Sequence, residues 1–157
     1  MHFASKQDIE APIAAVFQIL TDFEAWERAV MRRGIEVERK DKLRLDGPGM
    51  RWSARFDYRG KTRDLDVELT QLENPALVRF AGVSQALEGL VSVELLELGA
   101  NRTRMHTSVE ITPRSLTARL FLQSLRLARA KLDRKFDQRV AQMAGDIELR
   151  YRALRRA

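Results

Sequence analysis

Residues 2–10 alternate weakly between apolar and polar positions and predict an opening strand. Pro12 then suits the first turn of a helix, where its missing N–H costs nothing. Behind it Ile13, Val16, Phe17 and Leu20 recur at helical spacing. Thr21-Asp22 predicts the N-cap of a second short helix, with Phe23, Trp26 and Val30 on its apolar side and Gly34 at its end. Past Gly34 the period changes to two. Residues 35–41 fit a strand, and Asp46-Gly47-Pro48-Gly49 fits a turn. Met50, Trp52, Ala54, Phe56 and Tyr58 then share one face, opposite Arg51, Ser53, Arg55 and Asp57. Arg59-Gly60 predicts a tight hairpin, after which Leu65, Val67 and Leu69 alternate with Asp64, Asp66 and Glu68. Asn74-Pro75 turns the chain, residues 76–83 and 89–98 are further strands, and Gly99-Ala100-Asn101 makes another hairpin. Met105, Thr107, Val109 and Ile111 line one face of the last strand. Consecutive hairpins with one apolar face describe a curved antiparallel sheet of about six or seven strands.

Thr112-Pro113 is expected to open a final helix, with Thr112 as its N-cap. Its apolar stripe runs through Phe121, Leu125, Ala128, Leu132, Phe136, Val140, Met143 and Ile147. Even ending at Gly145 it spans about 32 residues, roughly 48 Å at the helical rise. A compact domain of this length is only about 40 Å across. The helix is therefore expected to cross the whole molecule, with residues after about 145 projecting or bending away. A second row, Leu116, Leu120 and Leu127, lies well round from the first.

The 157 residues fit one domain, 1–157, and 45% apolar against 32% charged content fits a folded globular chain. With no cysteine, thiol catalysis, disulfides and Cys-based metal sites are excluded. No basic segment followed by a long apolar run opens the chain and no stretch is long enough to span a bilayer, so the expected location is cytoplasmic. The net charge of +6 is uneven: residues 114–157 carry +8 and the rest −2. The basic positions of the last helix spread over about half its circumference without interleaved aromatics. That pattern fits a solvated helix exterior. It gives no support to nucleic acid as a partner, and contact with an anionic membrane surface stays open without being favoured.

The order of strand, two short helices, antiparallel strands and one long C-terminal helix resembles the START-like helix-grip fold, an α+β architecture. The specific match is Ile9-Glu10-Ala11-Pro12, Val16-Phe17, then Leu20-Thr21-Asp22-Phe23 and Trp26. This is similar to the opening pattern of the polyketide cyclase, pathogenesis-related and lipid-transfer proteins. The resemblance implies a sheet wrapped around the long helix, an apolar cavity between them and the short helices closing one end. It implies a hydrophobic ligand such as a lipid, polyketide or quinone. No Gly-rich phosphate loop or nucleotide fingerprint appears, and no cofactor is expected.

The cavity-wall candidates are Trp52, Phe56, Tyr58, Leu65, Val67, Phe80, Val91, Val93 and Met105 on the strands, with Leu125 and Leu132 on the facing helix. The same alternation also describes a filled core. Tyr58 or Thr107 can donate a hydrogen bond within such a cavity. Arg63 extends the face of Leu65 and Val67, and Arg129 falls at the edge of the helix stripe. Either is a candidate anchor for a carboxylate, or simply a snorkelling side chain. His2 is terminal, His106 falls on the solvent face, and no His/Asp/Glu spacing predicts a metal. No serine has an evident base, and Asp57, Asp64, Asp66 and Glu68 face outward, so no catalytic residue is assigned. Three readings remain: a binder of a hydrophobic or amphipathic small molecule, a cyclase or dehydratase, and a protein- or membrane-docking module. A monomer and a homodimer are equally compatible.

Overall fold

The computed structural model describes residues 1–156. Residue 157, the last of the expected single domain, lies outside the described residues. The elements are β1 (His2–Ile9), α1 (Ile13–Leu20), α2 (Phe23–Arg32), β2 (Glu36–Arg39), β3 (Arg51–Tyr58), β4 (Lys61–Glu73), β5 (Leu77–Val83), β6 (Leu87–Gly99), β7 (Arg102–Pro113), α3 (Leu116–Ser124) and α4 (Arg129–Arg156). A short 3-10 turn, Leu125–Ala128, joins the last two.

All seven strands form one antiparallel sheet in the order β1-β7-β6-β5-β4-β3-β2. Each neighbour in the order β2 to β7 is also the neighbour in sequence, so hairpins account for those pairings, and β1 closes onto β7 with Phe3 opposite Val109. At the β3–β4 hairpin Arg59 and Gly60 both adopt positive φ, 51° and 76°. That is the backbone a two-residue turn needs to match strand twist. Asp22 caps α2 by accepting from the Ala25 N–H at 3.3 Å.

The helix-grip arrangement is present, and α4 lies toward one side of it. This helix packs along β1 and against α1, and α1 in turn sits on β6 and β7. Ile9, Val16, Met50, Leu69, Val78, Met105 and Ile147 are completely or almost completely buried in the core. Ser5 ties the edge strand to the helix by donating to Asp137 at 2.5 Å, and Gln7 reaches the same carboxylate at 3.1 Å.

Three expectations for the C-terminal segment are corrected. β7 runs through Thr112 to Pro113, and the helix cap is Ser115, which accepts from Ala118 N–H at 3.1 Å. The helix is not one continuous rod, because the backbone tightens at Leu125–Ala128. Just before this turn the Ser124 hydroxyl donates to the Phe121 carbonyl at 2.6 Å, a back-bond of the kind that bends helices. Nor does the stretch beyond Gly145 project. Ile147 is buried, Tyr151 packs on the core, Glu148 accepts from the Glu10 N–H, and Arg150 pairs with Asp22 at 3.1 Å.

Candidate ligand-binding site

Because α4 covers the β1 side, the concave face of β3 to β6 has little over it except α2. A cavity of about 520 Å³ remains there. Its sheet wall is Trp52, Ala54, Phe56, Leu65, Val67, Phe80, Val91, Val93 and Thr107. The pairing of β3 with β4 sets Trp52 opposite Val67 and Ala54 opposite Leu65, so alternate residues of both strands point the same way. The helical wall is Leu20 from α1 and Phe23, Trp26, Glu27 and Val30 from α2, a spacing of three and four that puts one helix face on the cavity. Ile35 and Val37 close that end, and Met143 is the single contribution of α4.

An aromatic cluster forms part of the lining. Phe23 lies 5.6 Å from Trp52 and 6.2 Å edge-on from Phe80, with Trp52 and Phe80 6.3 Å apart. Both indole N–H groups are engaged elsewhere. Trp26 donates to the Leu20 carbonyl at 2.9 Å, and Trp52 donates to Glu27 Oε1 at 2.7 Å. With their polar edges satisfied, the rings present apolar surface to the space. Thr107 differs: its hydroxyl is the one buried side-chain polar atom among the described residues with no hydrogen-bond partner.

Eight of the candidate residues therefore meet at one space: Trp52, Phe56, Leu65, Val67, Phe80, Val91, Val93 and Thr107. The others sit elsewhere. Met105 is fully buried in the packed half beside Ile9 and Leu95 and is core. Tyr58 is 49% exposed at the hairpin end, with the Arg59 and Arg63 guanidinium groups 5.4 and 5.9 Å from its ring. Arg63 is exposed beside it. Leu125 belongs to the 3-10 turn, and Leu132, one helical turn into α4, is also outside the lining. Arg129 is committed on the β1 edge: it pairs with Asp133 at 3.1 Å, bonds the His2 carbonyl and lies 4.7 Å over the Phe3 ring. The helix meets the cavity at Met143, about one turn before its Ile147 anchor, not at 125–132.

The α2 contribution was missed in the sequence, where Phe23 and Trp26 read only as the apolar side of a short helix. Its signal was present in the Phe23, Trp26, Glu27, Val30 spacing, with a glutamate interrupting an otherwise apolar face. Another feature unaccounted for by the core is the exposed row on α3 and the 3-10 turn, with Leu116 72% and Leu127 98% exposed.

A curved antiparallel sheet, a gripping C-terminal helix and an apolar space between sheet and short helices define a helix-grip protein of the START-like class. Residues 1–148 match the model of the family described as polyketide cyclase / dehydrase and lipid transport, and the chain belongs to that family. No curated protein matches the sequence. Among solved structures it is similar to a protein from Thermus thermophilus, at 17% identity and TM-score 0.67 over 98% of this chain and 99% of that one. It is also similar to the Zhui aromatase/cyclase from a Streptomyces species, at 15% identity and TM-score 0.64 over 92% and 93%. A third is norcoclaurine synthase from Thalictrum flavum, at 10% identity and TM-score 0.65 over 94% and 84%. At these identities the likeness is one of fold. Among the described residues no group of three or more His, Asp or Glu is placed to hold a metal ion. Among the described residues no helix is long and apolar enough to cross a membrane.

Proposed function

We propose that this protein binds a hydrophobic small molecule in the cavity between α2 and the face of β3 to β6. The observation that carries this reading is an apolar space of about 520 Å³, well within the ~300–1,000 Å³ of small-molecule sites, bounded by seventeen residues of which fifteen are apolar. A space of that size leaves its lining without dispersion partners on one side, and an apolar ligand restores them. The cyclase or dehydratase alternative has less support, since Tyr58, Arg63 and Arg129 are not gathered at the space. Native mass spectrometry of the protein purified from its own host tests the binder. The expected result is a co-purifying small molecule, or stoichiometric uptake from a panel of neutral apolar compounds. A bare chain that takes up none of them overturns it.

A second, compatible reading is docking on an anionic lipid surface through α3 and the turn after it. Leu116, Leu120 and Leu127 are solvent-exposed there, and residues 114–132 hold five Arg or Lys and no acid. Phe121, on the same helix, lies 5.5 Å from Arg59 of the β3–β4 hairpin, which adds to the positive rim. Exposed leucines flanked by cations fit the interface of an anionic bilayer. A symmetric contact with a second copy sets these cations against one another. Flotation with phosphatidylglycerol vesicles is expected to carry the protein at low salt, to fail with phosphatidylcholine, and to be lost in a Leu116→Ser, Leu127→Ser variant. Equal flotation of that variant contradicts this reading, as does a dimer mass that falls to monomer in it.

A further inference from the structure

The wall of the cavity carries two polar residues, and neither is a cation. Glu27 is the single ionisable side chain in the lining. Its Oε1 is fixed at the wall by the Trp52 N–H at 2.7 Å. Arg39, a basic group that feels its charge, is held by Asp41 through two bonds of 2.9 Å, and neither residue lines the space. Thr107, 5% exposed on β7, has a buried hydroxyl with no partner. A hydroxyl left in that condition loses its water without gaining a bond. Three strands separate β7 from β3 along the sheet order, so Thr107 lies toward the opposite end of the wall from Glu27 and Trp52.

Two consequences follow for any occupant. An anionic head group moved into this space loses its hydration, meets no cation, and stands in the field of Glu27 across a medium of low dielectric. An uncharged oxygen pays far less to enter, and a turn of the Thr107 side chain about its Cα–Cβ bond presents to it an unpartnered hydroxyl that both donates and accepts. We infer that the cavity selects an uncharged ligand, hydrocarbon or aromatic over most of its length, whose hydroxyl or carbonyl oxygen bonds Thr107, and that it rejects the carboxylate of the same skeleton. This rests on the binder reading above and specifies its ligand class. It also reverses the sequence-based expectation that Arg63 or Arg129 anchors a carboxylate.

The two tryptophans of the chain, Trp26 and Trp52, both line the space and supply the readout. Their fluorescence is titrated at pH 8 with decanol, decanal and decanoate, each below its aggregation limit. Decanol and decanal are expected to bind about tenfold or more tightly than decanoate. In Glu27→Gln, which keeps the acceptor for Trp52, the gap is expected to narrow. In Thr107→Val the affinity for decanol is expected to fall several-fold, while the melting temperature of the ligand-free protein holds or rises because an unsatisfied buried hydroxyl has gone. A purely structural Thr107 leaves affinity unchanged and overturns its assignment. Decanoate binding as tightly as decanol overturns the exclusion of anions while leaving the binder reading intact. Saturation by none of the three probes overturns both.

Discussion

Asp41 sits in the loop after β2 and binds more partners than any other carboxylate outside the core. Arg39 grips it in a two-pronged bond, and the backbone N–H groups of Arg51 and Leu43 donate to it at 2.8 and 3.0 Å. The Arg39 bond, then the Arg51 N–H, hold its carboxyl well below the usual carboxylate range. Asp8 is lowered in the same sense, chiefly by Arg104 and further by Arg102. The unfolded chain takes up protons on these groups near pH 4, where the folded one does not. Stability from them is therefore complete above that pH and is lost as pH falls through the lower folded values. The gap between the urea midpoints of the wild type and Asp41→Asn is expected to hold from pH 7 to about pH 5 and to narrow as pH falls below about 4, and a gap that does not change with pH contradicts this. At Gly145, inside α4, an added Cβ meets nothing within 4 Å. Gly145→Ala is expected to raise stability by about 0.5–1 kcal/mol in the same assay. Side-chain roles were only partly legible in the sequence. Alternation placed Trp52, Phe56, Leu65 and Val67 on the right face, but a period of two says nothing of where the covering helix stops. Tyr58 therefore read as interior, although the hairpin carries it past the end of the cover into solvent.

At the scale of elements, α2 is both a wall of the cavity and a link to α4. Asp22 caps its N-terminus and also pairs with Arg150 at 3.1 Å. Asp22→Ala is expected to cost about 1–2 kcal/mol, most of it from the lost cap, and to weaken ligand binding by loosening Trp26 and Glu27. Hydrogen exchange that shows no faster opening of residues 23–32 contradicts this account. The strand and short-helix boundaries were readable because Pro12, Asp22, Arg59-Gly60 and Gly99 punctuate the pattern locally. The C-terminal segment was not. No Pro or Gly marks the 3-10 turn at 125–128, and its leucines continue a helical period through it. The bend arises from Ser124 bonding backward and from Arg129 seating on Phe3 and the first strand, a contact 126 residues away in sequence. A local pattern carries no record of such a contact.

At the scale of the molecule, the lateral placement of α4 divides the concave face into two unlike halves. Over β1, β7 and part of β6 it makes a packed core, closed by α1. Over β3 to β5 only α2 reaches across, and Ala54, Phe56, Leu65, Val67 and Phe80 there remain half-buried around open space. The sequence pattern is the same in both halves, so a filled and a hollow interior could not be told apart from it. The family membership and the fold both fit a binder, and the proposed ligand chemistry rests on what the cavity lining lacks, a cation. Saturable binding of the neutral dye Nile red, compared between the wild type and Ala54→Trp, tests the central claim most directly, because Ala54 projects from the middle of the cavity wall without supporting the core. The wild type is expected to bind one dye with blue-shifted emission, and the folded Ala54→Trp variant to lose that binding. Equal binding by both, or none by the wild type, contradicts a ligand held in this cavity.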